Sequence, residues 1–190
     1  MNLKIFSLFF LLLLAGCPAE LQVDSTGNPP VEDDRSWHTW EDCSQAVGDH
    51  PCNFKLLDHN GKEVELYDFY GKVIILDLSA MWCGVCVNIA STGEAIVEEF
   101  GRDNVVWITV LVEDEMGNPP DQSDLQRWID YGAGEPVLGG DRSLIDPAAK
   151  SGYPVSGWPT IVVIDREMIL AHGVTGWSES LVRGWVSNLL

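Results

Sequence analysis

The chain has 190 residues and a mass of 21.0 kDa, room for one domain of ordinary size plus an appendage. With 46% hydrophobic residues it can bury a core, which excludes wholesale disorder. Its 29 acidic residues against 11 basic ones give a formal charge of −18, which argues against nucleic acid as a partner and against adsorption to anionic headgroups, since both require clustered Lys and Arg.

Residues 1–16 hold one charge, Lys4, followed by an apolar run from Ile5 to Leu14. A transmembrane helix needs about 20 apolar residues. This run is shorter and has the length of a secretory signal core. It ends in Leu14-Ala15-Gly16-Cys17, which resembles the lipobox of bacterial lipoproteins. That resemblance implies cleavage before Cys17, a diacylglyceryl group on its sulfur, and an extracytoplasmic chain anchored to a bacterial membrane by lipid. An ordinary signal peptide with an incidental cysteine is the alternative. The next residue, Pro18, lacks the carboxylate that would point to inner-membrane retention. Residues 17–36 carry Gly27, the pair Pro29-Pro30 and the acidic cluster Glu32-Asp33-Asp34, with neither a helical nor a strand period. They read as an acidic flexible tether ahead of a domain over 37–190. Loss of Lys4 with the signal makes the mature chain more acidic still.

There are five cysteines: Cys17, Cys43, Cys52, Cys83 and Cys86. Lipidation of Cys17 leaves an even number, and a secretory signal places them where disulfides persist. Cys43 and Cys52 flank an interval containing Gly48 and Pro51, which permits a tight loop closed by a structural disulfide. A metal site using Cys43, His50 and Cys52, or a second redox pair, are the alternatives, although the spacing matches no common zinc pattern. Trp37, His38 and Trp40 read as packing residues of this N-terminal extension, with substrate recognition as the other option. Residues 54–58 and 63–66 flank Asn60-Gly61, a strong hairpin signal.

Residues 73–78 form an apolar run rich in β-branched side chains, as expected of a strand buried on both faces. Trp82-Cys83-Gly84-Val85-Cys86 follows, and then Ile89, Ala90, Ile96, Val97 and Phe100 recur with helical spacing up to Gly101. The cysteine pair therefore sits where a buried strand turns into a helix. Cys83 falls at the helix N-terminus, where unpaired N–H groups and the helix dipole favour a thiolate. Cys86 lies one turn deeper, placed to attack a mixed disulfide formed at Cys83. Half of a zinc site would need a second ligand pair that the chain does not supply in recognisable form. Asp77 lies inside the apolar strand, where a carboxylate is costly and its pKa rises. Exposure at a sheet edge is the alternative for it. Residues 105–112 read as the next strand, 113–121 as a loop, and Leu125, Trp128 and Ile129 mark a short helix. Residues 160–164 and 168–174 read as two strands, with His172 a core or edge residue. The segment from Ser178 to Leu190 reads as a packing helix with Ser178 as N-cap.

Over about residues 52–190 the chain resembles the TlpA/ResA-like thiol–disulfide oxidoreductases of the thioredoxin superfamily. Trp82-Cys83-Gly84-Val85-Cys86 matches the family's W-C-x-x-C, and Gly157-Trp158-Pro159-Thr160 with the apolar run after it matches its G-x-P-T and buried strand. The resemblance implies an α/β, thioredoxin-like fold: a central mixed β-sheet flanked by helices, with an N-terminal β-hairpin and a central αβ insertion. Pro136-Val137-Leu138 and Pro147-Ala148-Ala149-Lys150 fit the inserted strand and helix. It implies a cis Pro159 facing the cysteines, substrate binding by Trp82, Trp158, Pro159 and Thr160, and a role for Asp77 in deprotonating Cys86. Thioredoxin's lysine near the matching carboxylate has no counterpart in residues 105–112. The implied activity is electron exchange with protein cysteines, usually as a reductase, with oxidase or isomerase as the nearest alternative and a redox-recycling partner required. A peroxiredoxin-type peroxidase would need Pro and Thr where Leu76 and Ala80 stand, and a copper-handling protein of the SCO type would need three residues between the cysteines. No metal cluster and no nucleotide motif is legible, so neither a metal nor another cofactor is expected.

Overall fold

A computed structural model describes residues 35–149 and 151–190. The signal segment, Cys17 and nearly all of the tether lie outside the described residues. The chain divides into two units, Met1–Thr39 and Trp40–Leu190. In the first, the rings of Trp37 and His38 lie 5.9 Å apart, and the His38 N–H donates to the Arg35 carbonyl at 2.8 Å. The second unit holds the fold.

Among the described residues seven strands form one sheet: β1 (Lys55–Asp58), β2 (Glu63–Glu65), β3 (Val73–Ala80), β4 (Val105–Glu113), β5 (Val137–Gly139), β6 (Thr160–Ile164) and β7 (Leu170–Thr175). Their order is β2-β1-β5-β4-β3-β6-β7. β3 runs parallel to β4 and β4 parallel to β5, while β6, β7 and the β1–β2 hairpin run antiparallel to their neighbours. The hairpin turns at Asn60-Gly61, where Gly61 takes the positive φ of 76° that only glycine adopts without strain. Every residue of β3 and β4 is buried, as their uninterrupted apolar runs require.

Among the described residues four α-helices accompany the sheet: α1 (Gly84–Ile89), α2 (Thr92–Phe100), α3 (Gln122–Asp130) and α4 (Glu179–Leu189). Val182 and Val186 of α4 and Ile96 and Val97 of α2 pack with Val73 and Ile75 of β3, Trp107 of β4, and Ile161 and Val163 of β6. The spacing after Cys86 suggests one helix, but the structure breaks it between Ile89 and Thr92. Ser91-Thr92-Gly93 are weak helix formers, and Gly93 lies directly against the Trp107 indole, where a Cβ would stand 2.5 Å from the ring. The inserted helix expected at 147–150 is absent among the described residues. A 3-10 turn forms earlier, at Arg142–Ile145, capped by the Asp141 side chain accepting from the Ser143 N–H. Ser178 is the N-cap of α4 by position but makes no side-chain capping bond. No helix among the described residues is long and apolar enough to cross a membrane.

Candidate active site

The C-terminal end of β3 delivers Trp82 and the two cysteines to the mouth of the β3–β4 crossover, the usual place for a site in an open sheet with parallel strands. Cys83 is the N-cap of α1, with φ −85° and ψ 106°. Its sulfur accepts the Cys86 N–H at 3.2 Å. Cys83 and Cys86 are joined as a disulfide with their Cα atoms 5.3 Å apart. Cys83 is 7% exposed and Cys86 fully buried. Behind them lie Ala80, Met81, Ala90, Leu111, Leu125, Trp128 and Val137, an apolar nest built from β3, α1, β4, α3 and β5. Cys83 thus stands at a helix start with slight exposure, and Cys86 is sealed in the core.

Trp82 and Val85 flank the disulfide, each about half exposed, at 50% and 51%. Trp158 packs against the same cluster and meets Trp82 edge-on, with ring centroids 6.3 Å apart. The Trp158–Pro159 bond is cis. Pro159 is buried, and its carbonyl accepts the Gly176 N–H at 2.7 Å. Thr160 is 4% exposed and its hydroxyl donates to the Gly157 carbonyl at 2.8 Å. The sequence segments at 82–86 and 157–160 therefore meet on one surface.

Asp77 is fully buried at the centre of the sheet, between Thr109 of β4 and Ile161 of β6, so it is no edge residue. The Ser79 hydroxyl donates to it at 2.6 Å and the Thr109 hydroxyl at 3.3 Å. Thr109 in turn accepts the Trp107 indole N–H at 3.1 Å. Burial pushes the carboxyl up from 3.8 to about 7, and the bonds from Ser79, Thr109 and Trp107 only partly offset it. Two hydroxyls thus bond the carboxyl, and the Trp107 indole supports one of them.

Two residues here escape the sequence reading. Glu113, the last residue of β4, is 2% exposed and accepts the Trp82 indole N–H at 2.7 Å. Arg142 of the 3-10 turn forms an ion pair with its other oxygen. Both fall in stretches that read as loop or connection, and only the carboxylate ending an apolar run gives any signal.

Cys43 and Cys52 are joined as a disulfide. The loop they close docks through Gly48 and Asp49 on Leu170, with bonds of 2.8 and 2.9 Å, and through His50 Nδ1 on the Met168 carbonyl at 2.7 Å. Trp40 stacks on His50 at 3.6 Å and meets Tyr67 edge-on, and His172, on edge strand β7, stacks on Trp185 at 4.6 Å. Among the described residues no group of His, Cys, Asp and Glu is arranged to hold a metal ion.

The AhpC/TSA family model matches residues 47–172. Thiol-disulfide oxidoreductase ResA of Bacillus subtilis (strain 168) is 29% identical over 147 residues, covering 76% of either chain. ResA of Halalkalibacterium halodurans is 27% identical over 140 residues, covering 72% of this chain and 73% of its own. Among solved structures, a thiol:disulfide interchange protein of the thioredoxin family from Chlorobium tepidum TLS superposes with a TM-score of 0.61 at 18% identity, over 77% of this chain and 99% of that one, which speaks to fold alone. The chain belongs to the AhpC/TSA family and is a ResA-like thiol–disulfide oxidoreductase of the thioredoxin superfamily.

Proposed function

We propose that the protein exchanges disulfides with protein cysteines outside the cytoplasm, through Cys83 as nucleophile and Cys86 as resolving thiol, working as a reductase anchored by lipid on Cys17. The observation that carries this reading is the asymmetry of the pair: Cys83 at the start of α1, accepting the Cys86 N–H, and Cys86 sealed behind it. In the reduced protein the Cys83 thiolate attacks a substrate disulfide. One substrate sulfur leaves as thiolate and a mixed disulfide forms. Cys86 then gives its proton to Asp77 and attacks the Cys83 sulfur, releasing the second substrate thiolate. Two electrons pass to the substrate and the Cys83–Cys86 disulfide closes. A recycling partner must supply two electrons to reopen it.

A group that accepts a proton in a buried site works best with a pKa near the ambient pH, and Asp77 at about 7 meets that condition. Trp82 and Trp158 present the surface on which an extended substrate segment lies, and Pro159 and Thr160, both buried, fix the chain next to Trp158. The Cys43–Cys52 disulfide is structural in this reading. The acidic tether over 17–36 holds the domain away from the membrane. A peroxidase reading is disfavoured by Leu76 and Ala80, which replace the Pro and Thr that peroxide activation requires.

Substitution tests the roles directly. Cys83→Ser is expected to abolish exchange, and Cys86→Ser to accumulate mixed disulfides with substrate proteins. A Cys86→Ser protein that traps nothing while Cys83→Ser remains active would overturn the assignment. The reductase direction predicts a potential near that of thioredoxin, about −270 mV, and a value far above it would reverse the direction.

A further inference from the structure

Glu113 is not used by that mechanism, yet it bonds Trp82, the residue before Cys83. Its carbonyl accepts the Met81 N–H at 3.0 Å, which ties the end of β4 to the residue before Trp82. Its carboxylate is buried, and a buried carboxylate needs a partner on each oxygen. One oxygen takes the Trp82 indole N–H at 2.7 Å, and the other makes no hydrogen bond but lies in an ion pair with Arg142, whose side chain is 74% exposed. Arg142 comes from the segment after β5, in a turn fixed by the Asp141 cap. Trp82 remains half exposed, with its ring held against Trp158. A large aromatic side chain kept in the open at a fixed angle is suited to receiving an apolar group of a partner.

We propose that Arg142 and Glu113 form a clamp that positions Trp82 for docking of polypeptide substrates, making Arg142 a specificity-determining residue outside the redox motif. Without Arg142 the carboxylate loses its counter-charge while still buried, a costly state. It relieves that state by turning toward solvent, and the indole loses its acceptor. Trp82 then samples other orientations, and the surface it shares with Val85 and Trp158 loses definition. The cysteines are untouched, so chemistry with a small thiol reagent stays as it was. The inference rests on the thiol–disulfide exchange reading above, because a docking surface matters only if Cys83 reacts with a polypeptide.

The test uses the oxidised full chain, reduced in a stopped-flow instrument either by dithiothreitol or by a Cys-x-x-Cys dithiol peptide with apolar flanks. Arg142→Ala is expected to raise the half-saturating peptide concentration about fivefold, the size of one ordinary polar contact. The limiting rate and the dithiothreitol rate should stay within about twofold of wild type. Arg142→Lys, which keeps the charge on a different side chain, should recover part of the loss. Fluorescence anisotropy assigned to Trp82, by difference from a Trp82→Phe protein, should fall in Arg142→Ala and Glu113→Gln. An unchanged peptide half-saturation, or equal changes with peptide and dithiothreitol, would overturn the clamp. A wild-type disulfide that dithiothreitol fails to open would instead overturn the redox reading, and the anisotropy would still decide whether Arg142 orients Trp82.

Discussion

Asp77 is the residue whose environment is furthest from the ordinary. A carboxyl raised from 3.8 to about 7 by burial binds its proton more tightly in the folded chain than in the unfolded one. Its contribution to stability is therefore full below pH 3.8, falls as the pH rises through 7, and is constant above that. The gap corresponds to about 4 kcal/mol. Asp77→Asn removes the titration. Urea unfolding of the oxidised protein should find the variant more stable than wild type by a few kcal/mol at pH 8, with that advantage shrinking toward pH 4. A difference independent of pH would contradict the buried, proton-binding carboxyl. The same variant should slow release of a mixed disulfide at Cys83, because Cys86 loses its proton acceptor. The sequence carried Asp77 legibly, as one carboxylate in an apolar run. It did not carry Glu113 and Arg142, because their meaning comes from β4 and the turn after β5 converging on Trp82.

At the scale of elements, β3, β4, the N-terminal hairpin and α4 were legible because burial on both faces, a turn signal and an apolar helical stripe each leave a periodic trace. The break between α1 and α2 was not, since it depends on how closely Gly93 approaches Trp107. Gly93→Ala would drive a methyl into the indole and should cost about 1–3 kcal/mol of stability by chemical denaturation. No loss would mean that α2 shifts freely over β4. The Cys43–Cys52 loop docks at Leu170, which pairs with Ile164 at the end of the β6–β7 hairpin remote from Thr160. The structural reading therefore expects replacement of both cysteines by Ser to lower stability by about 2–3 kcal/mol, the value for closing a loop of this length. Exchange at Cys83 should survive. Lost exchange in a folded double variant would assign the second disulfide to the electron path.

For the whole molecule, composition bounded the partners and the cysteines supplied the chemistry. The −18 charge predicts that basic substrates associate faster and that added salt slows them. Association of trapped partners with the Cys86→Ser protein, followed against ionic strength, checks this; a salt-independent rate would leave the acidity without a role in recognition. The thioredoxin-like plan could be read from W-C-x-x-C and G-x-P-T in their strand contexts, while the seven-strand order and the meeting of Trp82 with Trp158 needed the folded chain. The central claim is that Cys83 and Cys86 form the pair that cycles. A redox titration with alkylation and mass mapping of each cysteine tests it most directly. Cys83 and Cys86 should gain their labels together, as one two-electron step, while Cys43 and Cys52 stay joined. Opening of Cys43–Cys52 first, or a Cys83–Cys86 disulfide that stays closed in excess dithiothreitol, would contradict it.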